Sequence, residues 1–320
     1  MNTFGNKYRI SIFGESHGEK LGIVIDGCPA GIAISESDFD ADLLRRKSGA
    51  KGTTTRIESD KPEIVSGVFN SKTTGTPITI LFSNENIKSK DYSNLQTHPR
   101  PSHADFVADY KYDGNNDYRG GGHFSGRVTL GLVAAGVVAK KVIKEIDINA
   151  KLTEIGGSSD FEKAIDNAIK QNDSIGGVVE CVASNLPVGL GEPFFDSVES
   201  IISHLAFSVP GIKGIEFGAG FASTKMFGSE FNDNFLDHKG RTETNNSGGI
   251  NGGITNSNDI IFRVAVRPTA SIYKPQKTFN HDTQEVEELI IKGRHDVCIA
   301  LRVPVIIEAI TAIALADFSL

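Results

Sequence analysis

The sequence predicts a mixed α/β protein, and three observations carry the prediction. Short Val-, Ile- and Phe-rich stretches alternate with capped helical segments along the whole chain; residues 128–139 and the C-terminal stretch are apolar without strand-like alternation; and no linker divides the sequence. With 320 residues, 39% of them hydrophobic, the chain has enough material for a sizeable core. One domain spanning 1–320 is the economical expectation.

Taken in order, residues 8–13 and 22–26 read as strands. A helix over 36–47 follows, with Ser35 as N-cap and Asp38 at the third helical position. Residues 63–69 and 77–83 are strand-like and joined by a Gly/Thr turn at 73–76, a hairpin signal. Ser159 and Glu162 suggest a capping box for a helix running to Gln171, and 177–183 returns as a strand. A helix over 197–207 and strands near 213–218 and 260–266 complete the alternation. The 128–139 stretch falls short of the roughly 20 apolar residues a bilayer span needs, and Arg302 and Glu308 interrupt the C-terminal one, so both are expected as buried helices. Segments 84–101 and 229–258 are rich in turn formers and are expected as long loops closing over a site.

A net charge of −7 argues against a general nucleic-acid or membrane-surface binder, so any cationic site must be local. Cys28, Cys181 and Cys298 are odd in number and far apart, which suggests neither a disulfide framework nor a structural metal. Polar Asn2, Thr3, Asn6, Lys7 and Arg9 stand where a signal peptide needs an apolar core. A reducing cytoplasm is the expected location, and no metal site is expected.

Chemistry-bearing residues concentrate in three places. Gly14-Glu15-Ser16-His17-Gly18 matches a nucleophile-elbow pattern, which would make Ser16 the nucleophile of a hydrolase; but it follows a single strand and leads to another, whereas an elbow opens into a helix. In the middle, Arg100 lies between Pro99 and Pro101, and Ser102 with Asp105 is placed to cap a helix beginning at His103. That would set the imidazole at the positive end of a helix dipole, where an anion is welcome. Arg119-Gly120-Gly121-Gly122-His123-Phe124-Ser125-Gly126-Arg127 then runs into the apolar helix, a Gly-rich loop suited to an anion but matching neither the Walker nor the dinucleotide pattern. Near the end, Arg294 and Asp296 share one face of an extended segment, with His295 on the other. Read alone, Arg45, Arg46, Lys47, Lys51 and Arg56 are a solvated basic face.

Together these segments resemble the chorismate synthase family. The resemblance rests on Phe13-Gly14-Glu15-Ser16-His17-Gly18, 67–77 (Gly-Val-Phe-Asn-Ser-Lys-Thr-Thr-Gly-Thr-Pro), Lys90-Asp91-Tyr92, Asp117-Tyr118-Arg119-Gly120-Gly121-Gly122, 134–141 (Ala-Ala-Gly-Val-Val-Ala-Lys-Lys), 213–218 (Lys-Gly-Ile-Glu-Phe-Gly), 248–254 (Gly-Gly-Ile-Asn-Gly-Gly-Ile) and Gly293-Arg294-His295-Asp296, in the family's order along nearly the whole chain. It implies an α/β (α+β) sandwich with helices packed between antiparallel sheets, assembled as a homotetramer. The implied activity is a lyase converting 5-enolpyruvylshikimate 3-phosphate to chorismate and phosphate with reduced FMN, and the flavin is reduced either by a nicotinamide cofactor (NADPH) or by an external reductase.

By position, the resemblance makes His17 a proton donor to the leaving phosphate and His103 the group balancing charge on reduced flavin. Asp296 assists removal of the C6 hydrogen, and Ser16 and Ser125 relay or orient. Arg46, Lys51, Arg100, Arg127 and Arg294 bind the substrate's anionic groups. Cofactor contacts fall on His123, Phe124, Ser125, Pro210, Gly211, Gly252, Arg267, Pro268, Thr269, Ala270, Ser271 and Arg294. The chain departs from the family where Lys47 and Lys51 replace arginines, Ser102 a glycine, His123, Phe124, Gly126 and Val128 a more usual Arg, Ser, Ala and Glu, and Arg267 a lysine. A binding protein decayed from the enzyme is the alternative those changes motivate.

Overall fold

A computed structural model describes residues 2–86, 95–291 and 293–320. Two antiparallel sheets enclose a double layer of helices. The first has strand order Thr3–Phe4, Arg9–Gly14, Lys20–Asp26, Ile78–Ser83, Glu63–Ser66; the second runs Ile212–Phe217, Ile260–Val266, Gly177–Ser184, Asp147–Ile155. The predicted hairpin appears with an addition: Glu63–Ser66 pairs with Ile78–Ser83, and a two-stranded ribbon, Val68–Phe69 with Lys72–Thr73, is inserted at its tip.

The two apolar stretches are the helices Thr129–Val142 and Pro304–Ser319, and they form the inner layers. Both are hydrophobic on all sides because both are covered on all sides. The first packs on Lys20–Asp26 and the second on Asp147–Ile155 and Gly177–Ser184, while the two helices pack on each other. Gly136 makes the close crossing possible, since a Cβ there would lie 2.4 Å from that of Ala309. The Asp317 carboxylate accepts backbone N–H groups of Asn6, Lys7 and Tyr8, tying the end of the chain to its beginning. Among the described residues no helix is long and apolar enough to cross a membrane.

Three expectations are corrected. The N-cap of the Phe161–Lys170 helix is Asp160, whose carboxylate accepts from the Lys163 N–H, so the start lies one residue beyond the Ser159 box. The helix of the middle segment is Asp105–Lys111, leaving His103 in the preceding turn and outside any helix terminus. None of residues 229–258 lines the cavity described below. They fold on themselves around Asp233, which accepts from Thr244, Asn246 and Ser247.

Candidate active site

The ends of three distant segments meet at a cavity of about 270 Å³. Eight cations line it (Arg46, Lys47, Arg56, Arg100, Arg127, Arg267, Arg294 and Arg302) against three carboxylates, Glu58, Asp60 and Asp296. A chain with a net charge of −7 thus builds one strongly positive chamber, which favours a polyanion.

One wall is built from Thr54, Arg56, Glu58 and Asp60, with Ile57 beside them. Arg56 donates to the Ser16 hydroxyl and carbonyl, both at 3.1 Å, and to Glu58 at 2.9 and 2.7 Å. Burial would raise the Glu58 pKa, but the Glu85 backbone N–H and the Arg56 guanidinium outweigh it and hold the carboxyl below its usual range. Ser16 lies in the turn between Arg9–Gly14 and Lys20–Asp26, a hairpin with Gly14 opposite Leu21. No helix follows the serine, so the geometry is not a nucleophile elbow.

Arg46 is the most enclosed cation, with 2% of its surface exposed. Its guanidinium donates to Thr129 Oγ1 and to the carbonyls of Gly126 and Arg127, and stands 3.9 Å from Asp60. The same Asp60 carboxylate accepts from Arg127. Nη1 of Arg46 has no hydrogen-bond partner among the described residues, nor does Thr269 Oγ1, and both residues line the cavity. Burial, then the neighbouring Arg302, pulls the Arg46 pKa well down. A buried donor left this way is unfavourable until an acceptor arrives.

On the opposite side Asp105 organises Arg100 and His103. It accepts two charge-assisted bonds from the Arg100 guanidinium, both 2.7 Å, and approaches His103 Nδ1 at 2.6 Å. Ser102 has φ +58, a left-handed backbone that explains why glycine is usual there. His17 is 5% exposed and packed behind Gly120, where a Cβ would lie 2.7 Å from His17 Cδ2. Burial, with Arg56 and Arg119 adding to it, lowers the His17 pKa to about 4. Asp296 does not pair with Arg294. It accepts the Thr54 N–H at 2.9 Å and faces Arg302 at 3.5 Å, while Arg294 donates to Asn86 at 3.3 Å.

A sequence profile described as chorismate synthase matches residues 8–320. The chain belongs to the chorismate synthase family. A chorismate synthase of Chitinophaga pinensis is 60% identical over all of this chain and 97% of its own length, and one of Dehalococcoides mccartyi is 45% identical over 100% and 96%. A crystal structure titled as chorismate synthase superposes with a TM-score of 0.76 at 27% identity, covering 98% of this chain and 92% of that one. The chain is therefore a lyase of the chorismate synthase reaction, converting 5-enolpyruvylshikimate 3-phosphate to chorismate and phosphate, and family membership implies a flavin cofactor.

Of the positions the family resemblance selects, Ser16, Arg46, Arg100, His103, Phe124, Ser125, Arg127, Pro210, Gly211, Arg267, Thr269, Ala270, Ser271, Arg294 and Asp296 line the one cavity, with His17 directly behind it. Lys51, His123, Gly252 and Pro268 do not line it. Lys51 pairs with Asp166 on the surface. His123 turns to the Gly14 carbonyl at 2.8 Å and to Asn2. The Lys90-Asp91-Tyr92 motif lies outside the described residues. Sequence reading missed Arg56, Glu58, Asp60, Asp105 as an ion-pair partner, His295 and Arg302. For the first three the signal was present as charged residues at every second position.

Proposed function

We propose that this cavity binds reduced FMN beside 5-enolpyruvylshikimate 3-phosphate, and that the residues around it carry out the family's elimination. The observation that supports this reading is the excess of cations, among them a buried Arg46 whose Nη1 has no hydrogen-bond partner among the described residues. Arg46, Arg100, Arg127 and Arg294, joined by Arg56 and Arg302, suit the substrate's phosphate and carboxylates. Arg267, Thr269, Ala270 and Ser271, with Phe124, Ser125, Pro210 and Gly211, form a mixed polar and apolar wall, and the unmet Thr269 hydroxyl fits a group rich in acceptors such as a flavin.

Reduced flavin, when bound, supplies reversible electron donation to a substrate whose C6 hydrogen no adjacent carbonyl acidifies. The protein's own contribution is electrostatic. His17 rests neutral, its pKa lowered to about 4 by burial and by Arg56. An arriving phosphate reverses that balance, so His17 takes up a proton that it then delivers to the leaving group. Asp296, which accepts the Thr54 N–H and faces Arg302, assists removal of the C6 hydrogen, and Ser16 and Ser125 orient the proton path. The free, buried cysteines agree with a cytoplasmic location. Assembly as a homotetramer, with flavin reduced by NADPH or by an external reductase, completes the proposal.

Anaerobic turnover with chemically reduced FMN tests it, with chorismate and phosphate followed together. The protein is expected to release both in equal amounts, and His17→Ala to lose about 10²- to 10⁴-fold in rate while still folding. Undiminished turnover in that variant would remove His17 from the mechanism.

A further inference from the structure

His103 stands among three charged groups and one close glycine. Arg100 and Asp105 touch it, Arg267 acts on it across the cavity, and Gly121 of the Gly-rich loop lies against the ring, where a Cβ would be 3.2 Å from Cε1 and 3.5 Å from Nε2. Two polar atoms compete for Nδ1: Asp105 Oδ1 at 2.6 Å and Arg100 Nη2 at 3.1 Å. They demand opposite tautomers, because the carboxylate needs a proton on Nδ1 and the guanidinium needs a lone pair there.

Chemistry and distance decide the competition. Burial alone would raise the Asp105 pKa, but the bonds from Arg100 and His103 hold it far below the usual carboxylate range, so its oxygens carry no proton. A bare Nδ1 at 2.6 Å would set lone pair against lone pair. The Arg100 nitrogen, moreover, already donates to the same Oδ1 at 2.7 Å and does not require His103 as an acceptor. Nδ1 therefore carries the proton, and Nε2 is the basic atom on the far edge of a ring that lines the cavity.

We propose that Asp105 is a positioning residue for His103: it fixes the Nδ1–H tautomer, so that Nε2 is the atom offered to the cavity, and it is the counter-charge for the imidazolium formed when Nε2 is protonated. Resting on the reading of His103 as the group that balances the reduced cofactor, the proposal gives the acid a role that neither a helix cap nor a simple Arg100 ion pair would have. Burial favours the neutral ring, as do Arg100 and Arg267, whereas Asp105 opposes them. The histidine thus waits uncharged and becomes a cation only when negative charge arrives beside it.

The test has two readouts on the full-length protein. In [15N]histidine-labelled protein without cofactor, the His103 resonances, identified by their loss in His103→Gln, are expected to report Nδ1–H. In Asp105→Asn they are expected to move toward Nε2–H. An Nε2–H tautomer in the wild type, or one unchanged in Asp105→Asn, overturns the proposal. Asp105→Glu keeps the carboxylate and should keep Nδ1–H, so loss of that tautomer there overturns it as well. The second readout is anaerobic affinity for FMN in both redox states: Asp105→Asn should weaken the reduced form at least about tenfold relative to the oxidised form. If the tautomer moves while that ratio does not, Asp105 keeps its positioning role and the assignment of His103 to cofactor charge fails.

Discussion

Arg45 and Arg46 are neighbours on the Asp40–Arg46 helix, yet they belong to two clusters built on opposite principles. Arg45 makes a bidentate pair with Glu308, both bonds 2.7 Å, and Lys140 and the Ala150 N–H fill the rest of that carboxylate. Arg46, one residue on, is sealed among Arg127, Arg302 and a single shared Asp60, with Nη1 making no hydrogen bond among the described residues. The first cluster is complete in the free protein. The second is deficient in negative charge, and under the proposed function a phosphate-bearing substrate would supply it. Satisfied ion pairs hold the fold, and unsatisfied ones in a cavity are kept at a cost in stability because binding uses them.

The largest expected effect lies in the completed cluster. Glu308 is 2% exposed within an otherwise apolar helix, and Glu308→Ala strands the Ala150 N–H and leaves Lys140 and Arg45 facing a void. Because Arg45 is partly solvated, we expect a loss of about 3 kcal/mol, at the lower end for a broken buried pair. Burial pushes the Glu308 pKa up, but Arg45 and the Ala150 N–H bring it below the usual value. Its contribution is therefore present above the unfolded carboxylate pKa, about 4.3, and is lost as pH falls through the lower folded value. Denaturation followed against pH should show that acid-side loss in the wild type and a flatter profile in the variant.

Arg46→Met is the matching test of the deficient cluster. It removes a cation that the free protein does not fully satisfy, so unfolding free energy should change by less than about 1 kcal/mol. The lost anchor for the substrate should instead lower kcat/KM about 100-fold, some 2.7 kcal/mol of transition-state binding. A stability loss as large as that of Glu308→Ala would break the distinction between the two clusters.

How much of this was legible beforehand follows the same division. Strands 20–26, 177–184 and 260–266 announced themselves because burial and β-branched residues coincide locally, and the inner helices did so by lacking a polar face. The site's members were legible as motifs, but their pairing was not. Nothing local says that Asp296 meets Thr54 while Arg294 turns to Asn86, because those partners lie more than 200 residues away in sequence. A string of Arg45, Arg46, Lys47, Lys51 and Arg56 looks like a solvated surface until the helix ends at Arg46 and the cavity wall begins. His103 shows the finer limit, since a two-residue difference in where a helix starts moved it from a dipole to a carboxylate.

Lys51 sharpens the comparison at its small end. By position it belongs with the substrate's ligands, but its ammonium reaches Asp166 on the surface, and its side chain is 57% exposed. The Asp166 partner, itself 42% exposed, is equally free to be solvated, so the pair contributes little. Lys51→Ala is therefore expected to leave kcat/KM within about twofold of the wild type, where Arg46→Met costs about 100-fold. Steady-state kinetics at low and moderate salt make the contrast stringent, because screening weakens a long-range contribution from Lys51 but not a contact inside the cavity. A loss tenfold or greater that persists in salt would bring Lys51 to the substrate and extend the deficient cluster beyond the residues that line the cavity.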